Sequence, residues 1–236
     1  MKRFQLLALV AAAVSTFLGC RSLRETDSGF QFLYNGKTLD GWEGIPGHWT
    51  VQEGAITGTT TKEQPLKQNT FLVYTNGIVD NFELRLRYRI AGGNSGIQYR
   101  SKVMDPAQFV VGGYQADLEA GTTYSGILYE ERGRGILAGR GQRTVVRDVN
   151  GATKIEVTAK LGDSADIQRS IRSDDWNDYV VIANGNHLMH FINGRLTADV
   201  VDLDTAKGAK SGVLALQIHV GPPMIVQFKD IRIRRL

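Results

Sequence analysis

Residues 81–90 read NFELRLRYRI, and this stretch decides the fold class. Apolar and charged side chains take alternate positions: Phe82, Leu84, Leu86, Tyr88 and Ile90 against Glu83, Arg85, Arg87 and Arg89. Successive side chains of a strand point to opposite faces, so one face here is apolar and the other is charged. The stretch therefore predicts a half-buried antiparallel strand with its arginines on a solvated outer face.

The same two-residue period recurs along the rest of the chain from residue 29 onward, and no helical period is sustained there. Asn150-Gly151, between apolar stretches at 144–149 and 153–161, is typical of a tight hairpin. Other predicted strands include 30–34, 95–101, 112–119 and 124–131, with loops at 133–142 and at 162–175, where one helical turn fits. About a dozen short strands predict an all-β sandwich of two antiparallel sheets.

Three of the predicted strands carry polar side chains on one face. The polar residues stand two apart within each strand: Gln98 and Arg100, then Gln115, Asp117 and Glu119, then Gln217 and His219. In the last strand Leu214, Leu216 and Ile218 take the opposite face, which is a core face. We therefore predict that these strands form the wall of a polar cleft.

Residues 1–20 have the pattern of an export signal. Lys2 and Arg3 precede an apolar run that ends at Gly19-Cys20, and the run is shorter than a typical membrane span. Cys20 is the only cysteine, which excludes an internal disulfide. The segment is similar to a bacterial lipoprotein signal. We predict lipidation of Cys20, a tether at 21–28, and a location in the periplasm or at the cell surface of a bacterium.

The overall composition is that of an ordinary globular protein, with 42% hydrophobic and 22% charged residues. Without Lys2 and Arg3, 26 basic residues stand against 24 acidic ones. This near balance gives no basis for binding nucleic acid. The length fits a single domain of the sandwich type, which we place at residues 29–236.

Several segments together resemble a known family. In chain order they read FLYNGKTLDGWEG, GNSGIQYRS, GGYQADLE, YSGILYEERGRGILA, WNDY, HFINGR and ALQIHVGPPMIVQFKDIRIRRL. This set resembles the 3-keto-disaccharide hydrolase family over residues 29–236. The resemblance implies a concanavalin A-like jelly roll of the glucanase type. It also implies action on glycosides whose C3 hydroxyl has been oxidised to a ketone.

A ketone at C3 acidifies the proton at C2, so a base can remove that proton and the enolate can expel the group at C1. Water then adds to the enone, which gives net hydrolysis. Such a site needs a base, an acid and donors for the enolate oxygen. The candidates for base and acid are His219 with Asp117 or Glu130. The candidates for substrate contacts are Arg100, Arg132 and Arg134 at the enolate, Gln98, Gln115, Gln217 and Asn177 at hydroxyls, and Tyr114, Tyr129 and Trp176 as stacking rings.

Two other functions stay open at this point. A carbohydrate-binding module on the same fold would use the aromatic and amide side chains without catalysis. An ordinary glycoside hydrolase would use two carboxylates, such as Asp117 and Glu119, although the E-x-D-x-x-E motif of related glucanases is absent. No HxH or HExxH spacing is present, so we expect no cofactor; convergence of His219, Asp117 and Glu130 on a divalent metal is the alternative. The expected partner in every case is a sugar or glycoside.

Overall fold

A computed structural model of the protein describes residues 29–236. In chain order the elements are β1 (Gln31–Phe32), β2 (Trp42–Glu43), β3 (Trp49–Gln52), β4 (Ala55–Thr60), β5 (Thr70–Tyr74), β6 (Phe82–Ala91), β7 (Asn94–Asp105), β8 (Val110–Glu119), β9 (Leu128–Glu131), β10 (Gly135–Ala138), β11 (Gln142–Val149), β12 (Ala152–Lys160), α1 (Ser164–Gln168), β13 (Asn177–Asn184), β14 (His187–Ile192), β15 (Arg195–Asp202), β16 (Val213–Ile218) and β17 (Met224–Arg235).

These strands form two sheets. Within residues 29–236 the larger sheet has ten strands, in the order β12-β11-β15-β14-β13-β6-β17-β4-β3, with β1 beside β17. The smaller sheet has seven strands in that same range, in the order β10-β9-β8-β7-β16-β5-β2. The pairings are antiparallel except that β11 and β15 run parallel across this described part of the chain. The predicted all-β sandwich is confirmed, with this parallel pair as a local exception.

The core lies between the two sheets. On β6 the apolar residues are buried as predicted, and the three arginines lie half-buried on the outer face. The apolar residues of β6 face the apolar side of the smaller sheet, where Ile97 and Leu216 pair with each other. Trp42 and Trp49 are also buried in this core. The two-residue period therefore predicted correctly which face of β6 is inside.

Turn chemistry fixes the predicted hairpin between β11 and β12. Asn150 and Gly151 have φ angles of 55° and 84°, so both central residues are left-handed. Two such residues are required by the turn type whose twist matches that of the flanking strands. The Gly151 N–H also donates a hydrogen bond to the Asp148 carboxylate over 3.0 Å. The hairpin prediction is confirmed.

Some predicted boundaries were wrong. The first strand is only two residues long, and β9 begins at Leu128 because residues 124–127 form a turn held by Ser125 and Glu119. Residues 135–138, predicted as loop, form β10, because Leu137 and Ala138 are buried beside β9. The single helical turn fits the predicted position, where Asp163 caps α1.

The predictions for the N-terminal 28 residues, including lipidation of Cys20 and the tether, lie outside the described residues. Among residues 29–236, no helix combines the length and hydropathy needed to cross a membrane.

Candidate functional site

The outer face of the smaller sheet carries a group of polar side chains on β7, β8 and β16. Gln98 lies opposite Gln115 in the β7–β8 pair, and Asp117 lies opposite Gly96. Gln217 lies on the neighbouring strand β16 and points to the same side. The structure thus brings together four predicted site residues, and we call this surface the polar face. No more than 6% of any of the four is exposed.

A chain of hydrogen bonds crosses the polar face. Ser101 Oγ donates to Gln98 Oε1 over 2.6 Å, and Gln98 Nε2 donates to Gln115 Oε1 over 2.7 Å. Gln115 Nε2 then donates to Asp117 Oδ1 over 2.5 Å. Gly96 makes this possible, because a Cβ at that position would come within 2.5 Å of the Gln115 side chain. The chain fixes Asp117 Oδ1 and leaves Oδ2 as the oxygen available for proton transfer.

Gln217 extends the polar face on its β16 side. Its Oε1 accepts a long 3.4 Å hydrogen bond from Gln115. Its Nε2 is buried and has no hydrogen-bond acceptor among residues 29–236. Buried donors are almost always bonded, so an unsatisfied one marks a position for a further group. Gln217 therefore presents a free donor beside Gln115 and Asp117.

The environment of Asp117 favours its protonated form. Burial, with the nearby charges of Glu131 and Glu119, raises the pKa of Asp117 to about 8, against a smaller lowering by the Gln115 hydrogen bond. Burial likewise raises the pKa of the Tyr129 phenol, with Glu131 and Asp117 adding to the effect. At neutral pH Asp117 therefore holds a proton that it can donate.

Glu119 and Glu131 flank Asp117 and differ in their contacts. Glu119 Oε1 accepts hydrogen bonds from the backbone N–H groups of Thr123 and Tyr124, so it holds the turn before β9. Glu131 Oε1 accepts one hydrogen bond, from Asn69 Nδ2 at 3.0 Å. Glu131 is therefore the carboxylate better placed to act with Asp117.

His219 lies directly after β16 and is half-buried. Its Nδ1 contacts the Val220 carbonyl, and with Nδ1–H as the donor the Nε2 atom keeps its lone pair. Val220 N in turn donates to Asn69 Oδ1, and Asn69 Nδ2 donates to Glu131. Asn69 therefore links the His219 segment to β9.

The tip of the β7–β8 hairpin covers part of the polar face. Phe71 N donates to Phe109 O over 3.0 Å, although β5 and β8 are not neighbours in the sheet. An apolar cluster forms beneath the tip from Phe71, Val73, Phe109, Val111, Val213 and Ala215. Since Ala215 pairs with Gln98 and Phe71 with Gln217, the tip closes over the β16 side of the polar face.

Three predicted site residues lie on the wrong side of the sheet. Tyr114 pairs with Glu130 across β8 and β9, and both point toward the core, opposite to Asp117. Arg134 joins them with ion pairs to Glu130 and Asp202, both 2.6 Å long, and Tyr114 Oη donates to Asp202 Oδ2. The placement of Glu130, Tyr114 and Arg134 at the polar face is therefore corrected: alternation along β8 and β9 directs Tyr114 and Glu130 between the sheets, and Arg134, from the turn before β10, pairs with Glu130 there.

Arg100 does not share the face of Gln98. A bulge follows Tyr99, and Arg100 has a left-handed φ of 48°, so the strict alternation ends here. Its guanidinium is buried against neutral oxygens: Asp80 O, Gly185 O and Asn81 Oδ1. The prediction that Arg100 faces the cleft at the polar face is wrong for this reason.

Trp176 and Asn177 belong to the larger sheet. Trp176 lies on its outer face, where Lys229 Nζ is 3.9 Å from the ring centroid. Asn177 is buried, and its side-chain amide bonds the segment before β13, including both backbone groups of Arg172. Their predicted contacts with a sugar at the cleft are therefore corrected as well.

The remaining two predicted residues lie near the polar face. Tyr129 pairs with Gln115, so its half-buried ring shares that face. Arg132 lies exposed in the β9–β10 turn, where it donates to Gln68 Oε1 over 3.1 Å. Both stay candidates for substrate contacts.

The sequence did not predict Ser101, Asn69 or Glu131 as site residues. Ser101 reaches Gln98 only because of the bulge, which no motif announces. Asn69 comes from the loop before β5 and has no periodic context. Glu131 follows Tyr129 by two residues, so alternation alone would have found it.

A cleft of about 820 Å³ opens beside Glu131. Its walls are the β7–β8 stem, the β9–β10 turn and residues 206–211. Among residues 29–236, no three His, Cys, Asp or Glu side chains are grouped as a metal site requires.

Comparisons with known proteins agree with this architecture. The family model of the 3-keto-alpha-glucoside-1,2-lyase-like domain matches residues 29–234. A Bacteroides thetaiotaomicron protein named 3-keto-disaccharide hydrolase is 33% identical over 79 residues, which are 30% of this chain and 27% of that protein. The match therefore spans about a quarter of the curated relative.

Solved structures share the fold. A candidate glycosyl hydrolase from Parabacteroides distasonis superposes with a TM-score of 0.57 and 20% identity, covering 91% of this chain and 97% of the other. The carbohydrate-binding module CBM66 of Bacillus subtilis superposes with a TM-score of 0.53 and 15% identity, covering 86% and 99%. At these identities the likeness establishes a jelly-roll sandwich and leaves the activity to be argued from the site.

Proposed function

Because the chain belongs to the 3-keto-alpha-glucoside-1,2-lyase-like domain family, we propose that it is an enzyme that cleaves 3-keto-glycosides at the polar face. The observation that carries this proposal is a buried carboxyl, Asp117, set among glutamine side chains and a tyrosine on one face of the sheet, where burial raises its pKa to about 8. Amides bind sugar hydroxyls, and a carboxyl with a pKa near 8 can protonate a leaving oxygen. The name of the Bacteroides relative points to the same substrate class.

The first step removes the proton at C2. His219 acts as the base, since its Nδ1–H is directed to Val220 O and its Nε2 lone pair takes the proton. The electron pair of the C2–H bond moves into the C2–C3 bond, and the ketone becomes an enolate. The free donor of Gln217 and the Tyr129 hydroxyl stabilise the negative oxygen.

The second step breaks the glycosidic bond. The enolate pair returns to rebuild the C3 ketone, a double bond forms between C1 and C2, and the C1–O bond breaks. Asp117 gives its proton to the leaving oxygen, so that the aglycone departs as an alcohol.

Water then completes the reaction. Asp117, now a carboxylate, accepts a proton from water as the water oxygen bonds to C1. His219 returns its proton to C2. Both side chains end in their starting forms, and the net change is hydrolysis.

The same proposal places the enzyme outside the cytoplasm, held by a lipid at Cys20, with a glycoside as its ligand. The export-type pattern of residues 1–20 supports this part.

A second candidate function is ordinary glycoside hydrolysis by two carboxylates. It is favoured by the charge of Glu131, which contributes to the raised pKa of Asp117. A carboxyl that keeps its proton beside one that is ionised is the arrangement that such hydrolases use. In that reaction the parent glycoside, without a ketone, would be the substrate.

The test compares a 3-keto-glucoside bearing a chromogenic aglycone with its unoxidised parent, both in heavy water. Elimination predicts release from the keto compound alone, with deuterium appearing at C2. Asp117→Asn and His219→Gln should each lower turnover by about 100-fold or more, because each loses a proton-transfer group.

Asp178→Asn is the matched control, because Asp178 is an exposed carboxylate on the larger sheet. It should leave turnover unchanged. Release from the parent glucoside would favour the two-carboxylate reaction. Binding of both sugars without release from either would contradict catalysis and favour a carbohydrate-binding module.

A further inference from the structure

The cleft of about 820 Å³ beside Glu131 carries an unusual number of basic side chains. Six of its lining residues are basic: Arg100, Lys102, Arg132, Arg134, Lys207 and Lys210. Only Glu130 and Glu131 among its lining residues are acidic. The chain as a whole is close to balanced, so this excess is a local feature of the cleft.

The exposed cations of the cleft have no acidic partners. The side chains of Lys102 and Lys210 have neither a hydrogen bond nor an ion pair to any group in residues 29–236. Arg132 and Lys207 donate only to neutral oxygens: Gln68 Oε1, Gly151 O and Thr153 Oγ1. These four residues are exposed, so an incoming ligand can reach them.

Arg100 adds a buried positive charge to the wall of the cleft. Its guanidinium is bonded to carbonyl and amide oxygens and forms no ion pair with a carboxylate of the described chain. Burial lowers the pKa of this group from its ordinary value, yet an arginine stays charged at any physiological pH. The cleft therefore has five cations that form no ion pair with a carboxylate of the described chain.

Arg134 is different, because its charge is already compensated. It pairs with Glu130 and with two further carboxylates behind it, Asp202 at 2.6 Å and Asp204 at 3.5 Å. All three acids are buried. These three carboxylates contact the guanidinium of Arg134, and none forms an ion pair with an exposed lysine of the cleft.

Eight arginines outside the cleft do pair with carboxylates, whereas Arg140, Arg172 and Arg195 donate to backbone carbonyls. Each of the eight lies within 4 Å of a carboxylate: Arg85, Arg87, Arg89, Arg143, Arg147, Arg169, Arg234 and Arg235. Carboxylates therefore pair with these eight arginines outside the cleft, and none in the described part of the chain pairs with Lys102, Arg132, Lys207 or Lys210 along its wall. An anion supplied by a ligand would give these four cations an acidic partner.

We infer that the cleft binds the anionic group of an acidic saccharide, a carboxylate or sulfate held by Lys102, Arg132, Lys207 and Lys210. The saccharide part of this inference rests on the proposed function, and the anion part does not. Glu131 belongs both to the cleft and to the surroundings of Asp117, so the acidic unit lies next to the sugar that is cleaved.

Calorimetric titration of the purified protein tests the inference. The probes are a disaccharide with a glucuronate unit, its 6-sulfated glucose counterpart, its neutral glucose counterpart, and inorganic sulfate. At least one acidic disaccharide should bind about tenfold tighter than the neutral one, as charge-assisted hydrogen bonds require, and added salt should reduce the difference. Comparison of the glucuronate disaccharide with the 6-sulfated one shows whether the cleft prefers a carboxylate or a sulfate.

The double variant Lys102→Gln with Lys210→Gln should lose about tenfold in affinity for the acidic disaccharide and bind the neutral one unchanged. Lys37→Gln removes the same kind of charge from an exposed turn after β1 and should change neither affinity. Thermal unfolding of the variants checks that both remain folded.

Equal affinity for acidic and neutral disaccharides, or no loss in the double variant, would overturn the inference. Inorganic sulfate that binds as tightly as the sulfated disaccharide would overturn its saccharide part. The probes are unoxidised and cannot undergo elimination, so binding is measured independently of turnover. A protein that binds the acidic disaccharide but does not cleave a 3-keto-glucoside would contradict the proposed reaction and leave the anion site standing.

Discussion

Asp117 changes its chemical role with its protonation state. Its pKa of about 8 arises mainly from burial, and the hydrogen bond from Gln115 opposes that rise by favouring the carboxylate. We expect turnover of a 3-keto-glucoside to fall as pH rises through about 8, because the acid form is lost. Gln115→Met removes the opposing hydrogen bond, so the falling limb should move to higher pH. A pH–rate profile measures both effects.

Gln52→Met, at an exposed position of β3, is the control for that variant and should keep the parent profile. A limb that stays in place in Gln115→Met would show that the hydrogen bond does not tune the acid.

Asp117 and His190 also make stability depend on pH, with opposite signs. His190 is buried, with Nε2 against Tyr99 Oη and Nδ1 against Ile127 O, and burial lowers its pKa to about 3 from 6.5. Between pH 6.5 and about 3 the unfolded chain binds more protons than the folded chain, so stability is lost as pH falls through this range. The pKa of Asp117 rises from 3.8 to about 8, so the folded chain binds more protons and stability is lost as pH rises through that window.

As pH rises from about 6.5 to 8, the free energy of unfolding should therefore fall less in Asp117→Asn than in the parent. The two slopes should differ by up to about 1.4 kcal/mol per pH unit. Below about pH 6.5 the variant should lose stability more steeply on acidification, because the opposing slope of Asp117 is gone. Urea unfolding at a series of pH values measures these slopes. Parallel curves for parent and variant would contradict the raised pKa.

At the scale of elements, Arg134, in the turn between β9 and β10, joins β9 to β15 through its ion pairs with Glu130 and Asp202. Arg134→Met would leave Glu130, Asp202 and Asp204 buried without their cation. We expect a loss of about 3–5 kcal/mol in the free energy of unfolding at neutral pH. The loss should shrink as pH falls, since the acids can then protonate.

Arg147→Met is the matched control, because Arg147 pairs with Glu156 in a half-exposed position where such pairs contribute under about 1 kcal/mol. Equal losses in the two variants, measured by urea unfolding, would mean that the buried network does not join these strands.

The strands of the polar face show which parts of the site the sequence could predict. Alternation placed Gln98, Gln115, Asp117 and Gln217 on one face correctly, because the strand period fixes which side chains share a side. It failed at Arg100, where a bulge with a left-handed residue reverses the direction of the side chain.

Glu130 and Tyr114 were predicted wrongly for another reason. Tyr114 is adjacent to Gln115, so alternation alone already places it on the opposite face. The face of Glu130 depended on the pairing of β9 with β8, which sequence alone does not give. Asn69 could not be predicted at all, since its contacts with Val220 and Glu131 depend on the path of a loop.

At the scale of the whole molecule, the sandwich separates a large apolar core from a small polar face that is itself covered. The core holds the two sheets together, whereas the β7–β8 tip rests on the polar side through a separate apolar cluster. A substrate that meets Gln98 and Gln217 must displace this tip, because both side chains are fully buried beneath it. The tip should therefore open without unfolding of the sandwich.

Hydrogen exchange tests this separation. Phe109→Ala removes an apolar contact of the tip, so the Phe71 N–H, which is bonded to Phe109 O, should exchange about tenfold faster. Amides of β6, in the centre of the larger sheet, should exchange as in the parent. Phe32→Ala, at an exposed position of β1, is the control and should accelerate neither group. Equal acceleration at Phe71 and in β6 would mean that the tip opens only when the whole sandwich unfolds, and the covered polar face would then be closed to substrate in the native state.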